Sequence, residues 1–225
     1  MKTISILIAD DHKIVRQGFC KLLSMERDFE VVGEASNGRA AIELALKLTP
    51  DIILMDIAMP DLNGLEATSL LLESAPDAKI LILSAHCEDA YITKAVQNGV
   101  KGFLRKQSSA SEVCKAIRAV HLGKFHFSPS VARHLDRVKP AMPFPQKSPL
   151  GAIAQLSSRE RQVLQLIAEG RANKETASDL GIRIKTVEKH RASIMRKLDI
   201  HETAGLTRYA ITNGLIENPL QPTTI

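Results

Sequence analysis

The sequence lacks the cysteine spacings of disulfide-bonded or zinc-binding proteins and the long apolar runs of membrane-spanning ones. Its 225 residues include no tryptophan and three cysteines, and Cys20, Cys87 and Cys114 lie far apart along the chain. This spacing fits neither a disulfide framework nor a zinc finger, so we expect reduced thiols. No apolar run approaches the ~18 residues of a membrane helix, and the first residues lack a signal-peptide layout. We therefore expect a cytoplasmic protein with no membrane partner.

Charge divides unevenly along the chain, whose formal net charge is +5. Residues 1–123 hold 14 basic and 16 acidic residues, whereas residues 124–225 hold 16 and 9. The stretch 139–149 contains four prolines, which fix φ and remove backbone donors. We predict an acidic first domain over 1–123, a linker over 124–151, and a basic second domain over 152–217 that faces a polyanion.

The first domain alternates short apolar runs with stretches of helical periodicity. The apolar runs are Ile4–Ala9, Val31–Ala35, Ile52–Met55, Ile80–Leu83 and Gly102–Leu104. The helical stretches are Lys13–Met25, Gly38–Leu48, Leu65–Ser74, Ala90–Asn98 and Ser109–Leu122. This order predicts an α/β fold with a doubly wound (βα)5 parallel sheet, in which ligands bind at the carboxyl ends of the strands.

Charged and polar residues follow four of these strands, and they are Asp10, Asp11, Asp56, Ser84 and Lys106. Carboxylates that converge at one sheet edge repel one another unless a cation lies among them, and such oxygen ligands suit Mg²⁺. Lys106 and the Ser84 hydroxyl would contact a phosphoryl group, and Asp56 would be the nucleophile that forms an aspartyl-phosphate. Taken singly, each residue is more often a cap, a turn or a surface residue; together they predict a phosphoryl-transfer site.

The motifs around these residues resemble those of response-regulator receiver domains. The similar segments are Ile8 to His12, Leu54 to Pro60 with Gly64, Leu83 to Ala85, and Gly102 to Lys106. The resemblance implies that a sensor histidine kinase phosphorylates Asp56. It implies a Mg²⁺ site formed by Asp10, Asp11, Asp56 and the carbonyl group of Ala58. It also implies that the residues that contact and report the phosphoryl group are Ser84, Lys106 and Phe103.

Several positions near this site carry alternatives. Phe103 fits a switch residue or a plain core aromatic equally well, and His12 is expected at the surface rather than as a metal ligand. Gln107 stands where many receivers carry proline, so the geometry of the Lys106–Gln107 bond stays open. Ala58 stands where a dehalogenase-type phosphatase needs its second aspartate, so we expect no enzyme activity from this domain.

The second domain carries the pattern of a helix-turn-helix. Ser157 and Glu160 have the spacing of a capping box that begins a first helix, and Gly170 ends it. Further helices are predicted near Asn173–Leu180, from Lys185 or Thr186 to about Leu198, and over Thr203–Asn213. Two short helices joined through a turn at Gly181, inside a small all-α unit of four helices, are typical of this motif.

The third of these helices has an apolar and a basic face. At about 100° per residue, the stripe expected to pack inward consists of Val187, His190, Ile194 and Leu198. The opposite stripe consists of Lys185, Lys189, Ala192 and Arg196, flanked by Glu188 and Ser193. A basic face with one small residue can enter the DNA major groove, although a basic face alone is more often only solvated. The glycine turn and the positive charge of the domain favour DNA binding.

The second domain resembles the LuxR-type helix-turn-helix. The similar segments are Leu156 to Leu164, Lys174 to Ala177, Thr186 to His190 and Ile194 to Leu198. The resemblance implies base-facing positions at Glu188, Lys189 and Ala192. It implies that Lys185 and Thr186 lie near the DNA backbone, and that the final helix forms a dimer surface.

Individual residues of this domain carry further expectations. Lys189 is the candidate for reading a guanine edge, whereas Arg191, Arg196 and Lys197 are expected to contact phosphates. Relatives usually carry isoleucine where Thr176 stands, so we expect looser packing of the short helix.

The two resemblances together imply a member of the NarL/FixJ family of response regulators, which acts as a transcription factor. The partners expected for it are a sensor histidine kinase, double-stranded DNA, a second copy of the chain when phosphorylated, and RNA polymerase. Two other functions stay open: a phosphorylation-controlled protein-interaction module without DNA output, and a regulator that binds a small ligand. DNA affinity that falls steeply with salt would favour DNA binding, because phosphate contacts release counterions.

Overall fold

The computed structural model describes residues 3–85, 89–129, 131–133, 156–213 and 215–216. The chain divides near residue 140 into two compact units, which are taken separately below. Cys87 and the proline-rich stretch 139–149 lie outside the described residues. Within the part that is described, no helix is both long and apolar enough to cross a membrane.

The first unit is built on a parallel sheet of six strands in the order β2-β1-β3-β4-β5-β6. The strands are β1 (Ile4–Ala9), β2 (Phe29–Ala35), β3 (Ile52–Met55), β4 (Ile80–Ser84), β5 (Gly102–Arg105) and β6 (His126–Phe127). The predicted doubly wound sheet is confirmed. The sequence did not predict β6, because its two residues are too few to show a periodicity, and they lie within the stretch predicted as linker.

The helices of this unit follow the strands as predicted. They are α1 (Lys13–Leu23), α2 (Gly38–Leu48), α3 (Gly64–Ser74), α4 (Asp89–Asn98) and α5 (Ala110–His121). Three of them begin at a side chain that accepts a backbone N–H of the first turn, and these caps are Asn37, Asn63 and Ser109. Helix α1 differs, because His12 at its N-cap makes no such side-chain bond.

Side chains of the sheet alternate between two apolar cores. One face packs against α1 and α5, where Ile6, Ile8 and Leu54 lie with Ile117. The other face packs against α2, α3 and α4, and it includes Phe103. Because successive residues of a strand point to opposite faces, the uninterrupted apolar runs bury both faces of the sheet. The polar residues that end the strands are therefore left at the carboxyl edge.

The second unit is a small helical domain, as predicted. Its helices are α6 (Ser158–Ala168), α7 (Asn173–Asp179), α8 (Ile184–Leu198) and α9 (Thr203–Thr212). Ser157 and Glu160 form the predicted capping box at the start of α6. Gly170 and Gly181 have φ of 85° and 62°, a left-handed conformation that favours glycine in the turns after α6 and α7. Together α7, the Gly181 turn and α8 form the helix-turn-helix.

Thr176 of α7 is fully buried in this unit. Its hydroxyl has no hydrogen-bond partner among the described residues. A buried hydroxyl without a partner costs free energy that an apolar side chain of similar shape would avoid. The departure at Thr176 is therefore unfavourable for the stability of α7, and the looser packing expected of this helix stays a prediction.

Candidate functional site

Three charged side chains meet at the carboxyl edge of the sheet. The Lys106 Nζ lies 2.7 Å from the Asp56 Oδ2 and 2.8 Å from the Asp10 Oδ2. Asp56 and Asp10 are 2% and 3% exposed. Strand order explains the meeting, because β3 lies between β1 and β4 and brings Asp56 next to the end of β1. The lysine thus neutralises part of a buried negative charge.

Burial raises the pKa of the Asp56 carboxyl from 3.8 to about 7, because desolvation disfavours the charged form. This value already includes the charge of Lys106, which opposes the rise in pKa, and the charges of Asp10 and Asp11, which add to it. Burial alone would lower the pKa of Lys106, but the two neighbouring carboxylates outweigh it, so its pKa is raised. The site therefore favours a cation, and Lys106 stays charged.

The turn after β1 presents a second acidic group beside Asp56. The Asp11 Oδ1 lies 2.7 Å from the His12 Nδ1, and the Asp10 Oδ1 accepts the His12 backbone N–H at 2.8 Å. One ligand atom each from Asp10, Asp11, His12 and Asp56 lies within 4.8 Å of the others. His12, expected at the surface, is only partly exposed and adjoins the acidic pair.

This donor set fits a divalent cation. The carboxylates of Asp10, Asp11 and Asp56 supply the hard oxygen ligands that Mg²⁺ prefers, and the Asp11 side chain is partly exposed. The acidic cluster is typical of a Mg²⁺-binding phosphorylation site.

The other predicted residues lie around this cluster. Ser84 is the last residue of β4 and is fully buried. Its main-chain oxygen accepts the backbone N–H of Lys106 at 3.0 Å. Phe103 is fully buried in the core on the α2–α4 face. Ala58 is buried two residues after Asp56. The bond between Lys106 and Gln107 is trans, which answers the question that the missing proline had left open.

Gly64 fits tightly behind Asp56. A Cβ at this position would lie 1.8 Å from the main-chain oxygen of Asp56, well inside contact distance. The N–H of Gly64 also donates to the Ile57 oxygen at 2.8 Å. The start of α3 can approach the main chain of Asp56 this closely only because residue 64 has no side chain.

In the second unit, helix α8 has the predicted two faces. Val187 and Ile194 are fully buried, and His190 and Leu198 are partly buried. Most of the predicted outer face is exposed, namely Lys185, Glu188, Lys189, Ala192 and Arg196. Thr186 is partly exposed. The exposed stripe therefore carries three basic side chains around one alanine.

Ser193 and Lys197 do not belong to this exposed stripe. The Ser193 hydroxyl donates to the Glu160 Oε1 at 2.7 Å, and the Lys197 Nζ lies 2.7 Å from the Glu160 Oε2. Glu160 is 5% exposed and also accepts the Ser157 backbone N–H at 2.7 Å. Burial opposes ionisation of Glu160, but these hydrogen bonds outweigh it and lower its pKa from 4.5 to about 2. This carboxylate joins α6 to α8.

Arg191 is also engaged within the second unit. Its guanidinium donates to the Thr203 hydroxyl and to the Asn173 side-chain oxygen, the latter at 3.5 Å. These contacts connect α8 to the starts of α9 and α7. The sequence predicted that Arg191 and Lys197 contact DNA phosphates. It could not show their partners within the unit, because a helical wheel gives the direction of a side chain and not its contacts.

Two family models cover most of the chain. Residues 6–118 match the response regulator receiver domain, and residues 154–210 match the bacterial regulatory proteins of the luxR family. The chain therefore belongs to the response regulators that join a receiver to a LuxR-type helix-turn-helix. It is a two-component transcription factor rather than an enzyme, and the resemblances found in the sequence are confirmed.

Individual relatives cover nearly the whole chain. The chain is 37% identical over 215 residues to the response regulator protein VraR of Staphylococcus aureus strain Mu3, covering 96% of this chain and 100% of VraR. It is similar to RcsB from Salmonella enterica serovar Typhimurium bound to promoter rprA in the presence of the phosphomimetic BeF₃⁻ (TM-score 0.61, 27% identity, 92% and 98% of the two chains). Another similar structure contains two RcsB dimers bound to two parallel DNAs (TM-score 0.57, 28% identity, 92% and 98%).

Proposed function

We propose that Asp56 accepts a phosphoryl group from a sensor histidine kinase and that this controls sequence-specific DNA binding by the second unit. The observation that carries the proposal is the buried Asp56 carboxylate within 2.7 Å of the Lys106 ammonium, beside Asp10 and Asp11. A carboxylate held between a lysine and a cation-binding acidic pair is the arrangement that in-line phosphoryl transfer needs.

Each residue has a defined part in this transfer. The residues that would hold Mg²⁺ are Asp10, Asp11, Asp56 and the carbonyl group of Ala58. When bound, Mg²⁺ neutralises charge on the equatorial phosphoryl oxygens. The Lys106 Nζ, which contacts the Asp56 Oδ2 in this structure, would bind a phosphoryl oxygen instead. The Ser84 hydroxyl would donate to another phosphoryl oxygen.

The same site gives Ser84 and Phe103 a part in signalling. Ser84 is fully buried beneath the site, and Phe103 is the buried aromatic of the adjacent strand. A phosphoryl group that draws the Ser84 hydroxyl toward it leaves space in the α2–α4 core. We propose that Phe103 responds to this change by repacking, which transmits phosphorylation to the surface of the receiver.

The output surface is the exposed stripe of α8. Base contacts are proposed for Glu188, Lys189 and Ala192, and backbone contacts for Lys185, Thr186 and Arg196. Ser193 was in the predicted DNA-binding set, but its bond to Glu160 favours an internal role. The DNA-bound dimers of the similar protein RcsB support binding as a homodimer. Phosphorylation is proposed to induce this dimer, and RNA polymerase is a further proposed partner.

Phosphorylation of the purified chain tests the first part of this proposal. With acetyl phosphate and Mg²⁺, intact-mass spectrometry is expected to show one added phosphoryl group, which peptide mapping assigns to Asp56. Removal of Mg²⁺ with EDTA should abolish it, because the phosphoryl oxygens then lack their cation. Asp56→Asn should take up none. Uptake by Asp56→Asn at the wild-type yield, on another carboxylate, would refute the assignment.

DNA binding by α8 is tested by comparing two exposed lysines of one stripe. On a duplex selected from a random library, Lys189→Ala is expected to lose about 1–3 kcal/mol and to relax preference at one base pair. Lys185→Ala should weaken selected and scrambled duplexes alike and lower the salt dependence of binding. Fluorescence anisotropy at several salt concentrations measures both.

The two lysine variants also separate the alternative functions. Equal losses on both duplexes in both variants would make Lys189 a phosphate contact and move base reading to Glu188. Wild-type affinity in both variants would show that α8 does not enter the groove, which favours the protein-interaction alternative.

A further inference from the structure

The turn that carries the acidic pair is held by a side chain that sequence patterns did not single out. The Arg16 Nη1 donates to the main-chain oxygen of Asp10 at 2.7 Å and to that of Asp11 at 3.2 Å. Arg16 lies in the second turn of α1, and its side chain is 13% exposed. A single guanidinium thus binds two of the residues that would hold the metal, Asp10 and Asp11.

Arg16 is itself fixed from a neighbouring strand. Its Nε lies 3.3 Å from the Glu34 Oε2, and Glu34 belongs to β2, opposite Ile8 of β1. The guanidinium therefore connects α1, the end of β1 and β2. Its planar array of donors allows it to bind two carbonyl groups and a carboxylate together, which a single ammonium group cannot do with the same geometry.

The start of α1 lacks the support that the neighbouring helices have. Helices α2, α3 and α5 each begin at an Asn or Ser whose side chain bonds the first turn, but His12 makes no such bond at α1. Within the turn, the His12 backbone N–H donates to the Asp10 Oδ1. That bond uses an oxygen of a proposed metal ligand, so it does not replace a cap.

The geometry points to Arg16 as a positioning residue of the Mg²⁺ site: it fixes the Asp10–Asp11 turn so that both carboxylates face Asp56. This inference rests on the function proposed above. Groups that orient metal ligands from outside the coordination sphere commonly change metal affinity 10- to 100-fold when they are removed. Arg16 acts on the main chain of the ligands, so its loss should weaken Mg²⁺ binding without removing a ligand.

The test measures Mg²⁺ binding to the full chain by isothermal titration calorimetry. Arg16→Met, which keeps the apolar stem, is expected to weaken binding about 10- to 100-fold. Arg16→Lys, which keeps the charge but not the fork of donors, should weaken it by an intermediate factor. With acetyl phosphate as donor, the Mg²⁺ concentration for half-maximal phosphorylation should rise in parallel, while the rate at saturating Mg²⁺ stays within about threefold.

Two controls separate positioning from a general loss of structure. Arg118→Met removes a guanidinium that binds Glu26 and Asp28 elsewhere in the unit, and its Mg²⁺ affinity should match that of the wild type. Glu34→Gln breaks the ion pair of Arg16 but keeps its carbonyl bonds, so it should change affinity less than Arg16→Met does. Circular dichroism checks that each variant is folded.

The outcomes distinguish failure of the positioning role of Arg16 from failure of the proposed function. Mg²⁺ affinity within twofold of the wild type in folded Arg16→Met overturns the positioning role and leaves the proposed function standing. Should Arg16→Met fail to fold, unchanged affinity in Arg16→Lys has the same meaning. A wild-type chain that binds no Mg²⁺ overturns the proposed function and this inference together.

Discussion

In the absence of divalent metal, Asp56→Asn is expected to raise the free energy of unfolding of the receiver by roughly 2–4 kcal/mol at pH 8. The reason is the burial of the Asp56 carboxyl, which raises its pKa from 3.8 to about 7. Above that pH the folded protein holds a buried charge that Lys106 compensates only in part. Asparagine has nearly the same shape and carries no charge, and Lys106 keeps its partner Asp10.

The sign of the pH dependence follows from the direction of the pKa shift. Because the folded-state pKa lies above the unfolded-state value of 3.8, the folded protein binds more protons between about pH 4 and pH 7. The stability of the wild type relative to Asp56→Asn therefore falls as the pH rises through this window. The gain from the substitution should be absent below about pH 4 and complete above about pH 7.

The free energy of unfolding of the receiver can be measured separately from that of the second unit. The measurement is hydrogen exchange of β1 and β3 amides at increasing urea concentrations, with EDTA present and mass spectrometry as the readout. Asp77→Asn, the same change at an exposed position, should alter stability by less than about 0.5 kcal/mol. Mg²⁺ should stabilise the wild type more than Asp56→Asn, because binding to the folded state adds to its stability. A gain from Asp56→Asn that does not depend on pH would contradict the explanation.

Glu160→Ala is expected to lower the free energy of unfolding of the second unit by about 2–4 kcal/mol. The substitution removes the carboxylate that Ser193 and Lys197 of α8 contact and breaks the capping box at Ser157. Lys197 then loses its ion-pair partner. Because α8 carries the proposed DNA-binding face, affinity for DNA should fall even though Glu160 lies away from that face.

Glu175 is a matched control for this effect. It occupies the same position at the start of α7 and accepts the Ala172 N–H, but its side chain is exposed. Glu175→Ala should cost about 0.5–1 kcal/mol. Urea unfolding followed by hydrogen exchange of α6 and α8 compares the two, and equal losses would show that the contacts of Glu160 with α8 add nothing.

Acid should weaken the contacts of Glu160 with α8. The pKa of Glu160 is held at about 2, below its ordinary value of 4.5, so its contribution is present above about pH 5. As the pH falls from 4.5 toward 2, the contribution should be lost, because the unfolded chain takes up a proton that the folded protein excludes. In Glu160→Gln, the slope of stability over this range should be smaller than in the wild type.

The carboxyl edge of the sheet was predictable from local patterns. Continuous apolar runs alternating with helical periods predict a parallel sheet, and a parallel sheet brings the ends of its strands to one edge. Asp10, Asp56 and Lys106 were therefore expected near one another, and the distances between them agree. The role of Arg16 was not predictable in this way, because it depends on a long side chain that folds back onto the preceding turn.

Helix α8 shows the same division. Helical periodicity predicted that Val187 and Ile194 are buried and that Lys185 and Lys189 are exposed, as found. Ser193 lies at the border between the two faces. Which face it joins is decided by Glu160 of α6, and a pattern within α8 contains no information about that helix.

By itself, the sequence determined the order of the first five strands and of the helices, the two units, the residues at the strand ends and the family. These follow from hydrophobic periodicity, turn residues and short motifs, which are local along the chain. Only the tertiary structure decided the pairing of β6 with β5, the contacts of Arg16 with the acidic turn, and the contacts of Glu160 with α8. Each of these joins segments that lie in separate elements, and their energies depend on burial and distance, which no local pattern contains.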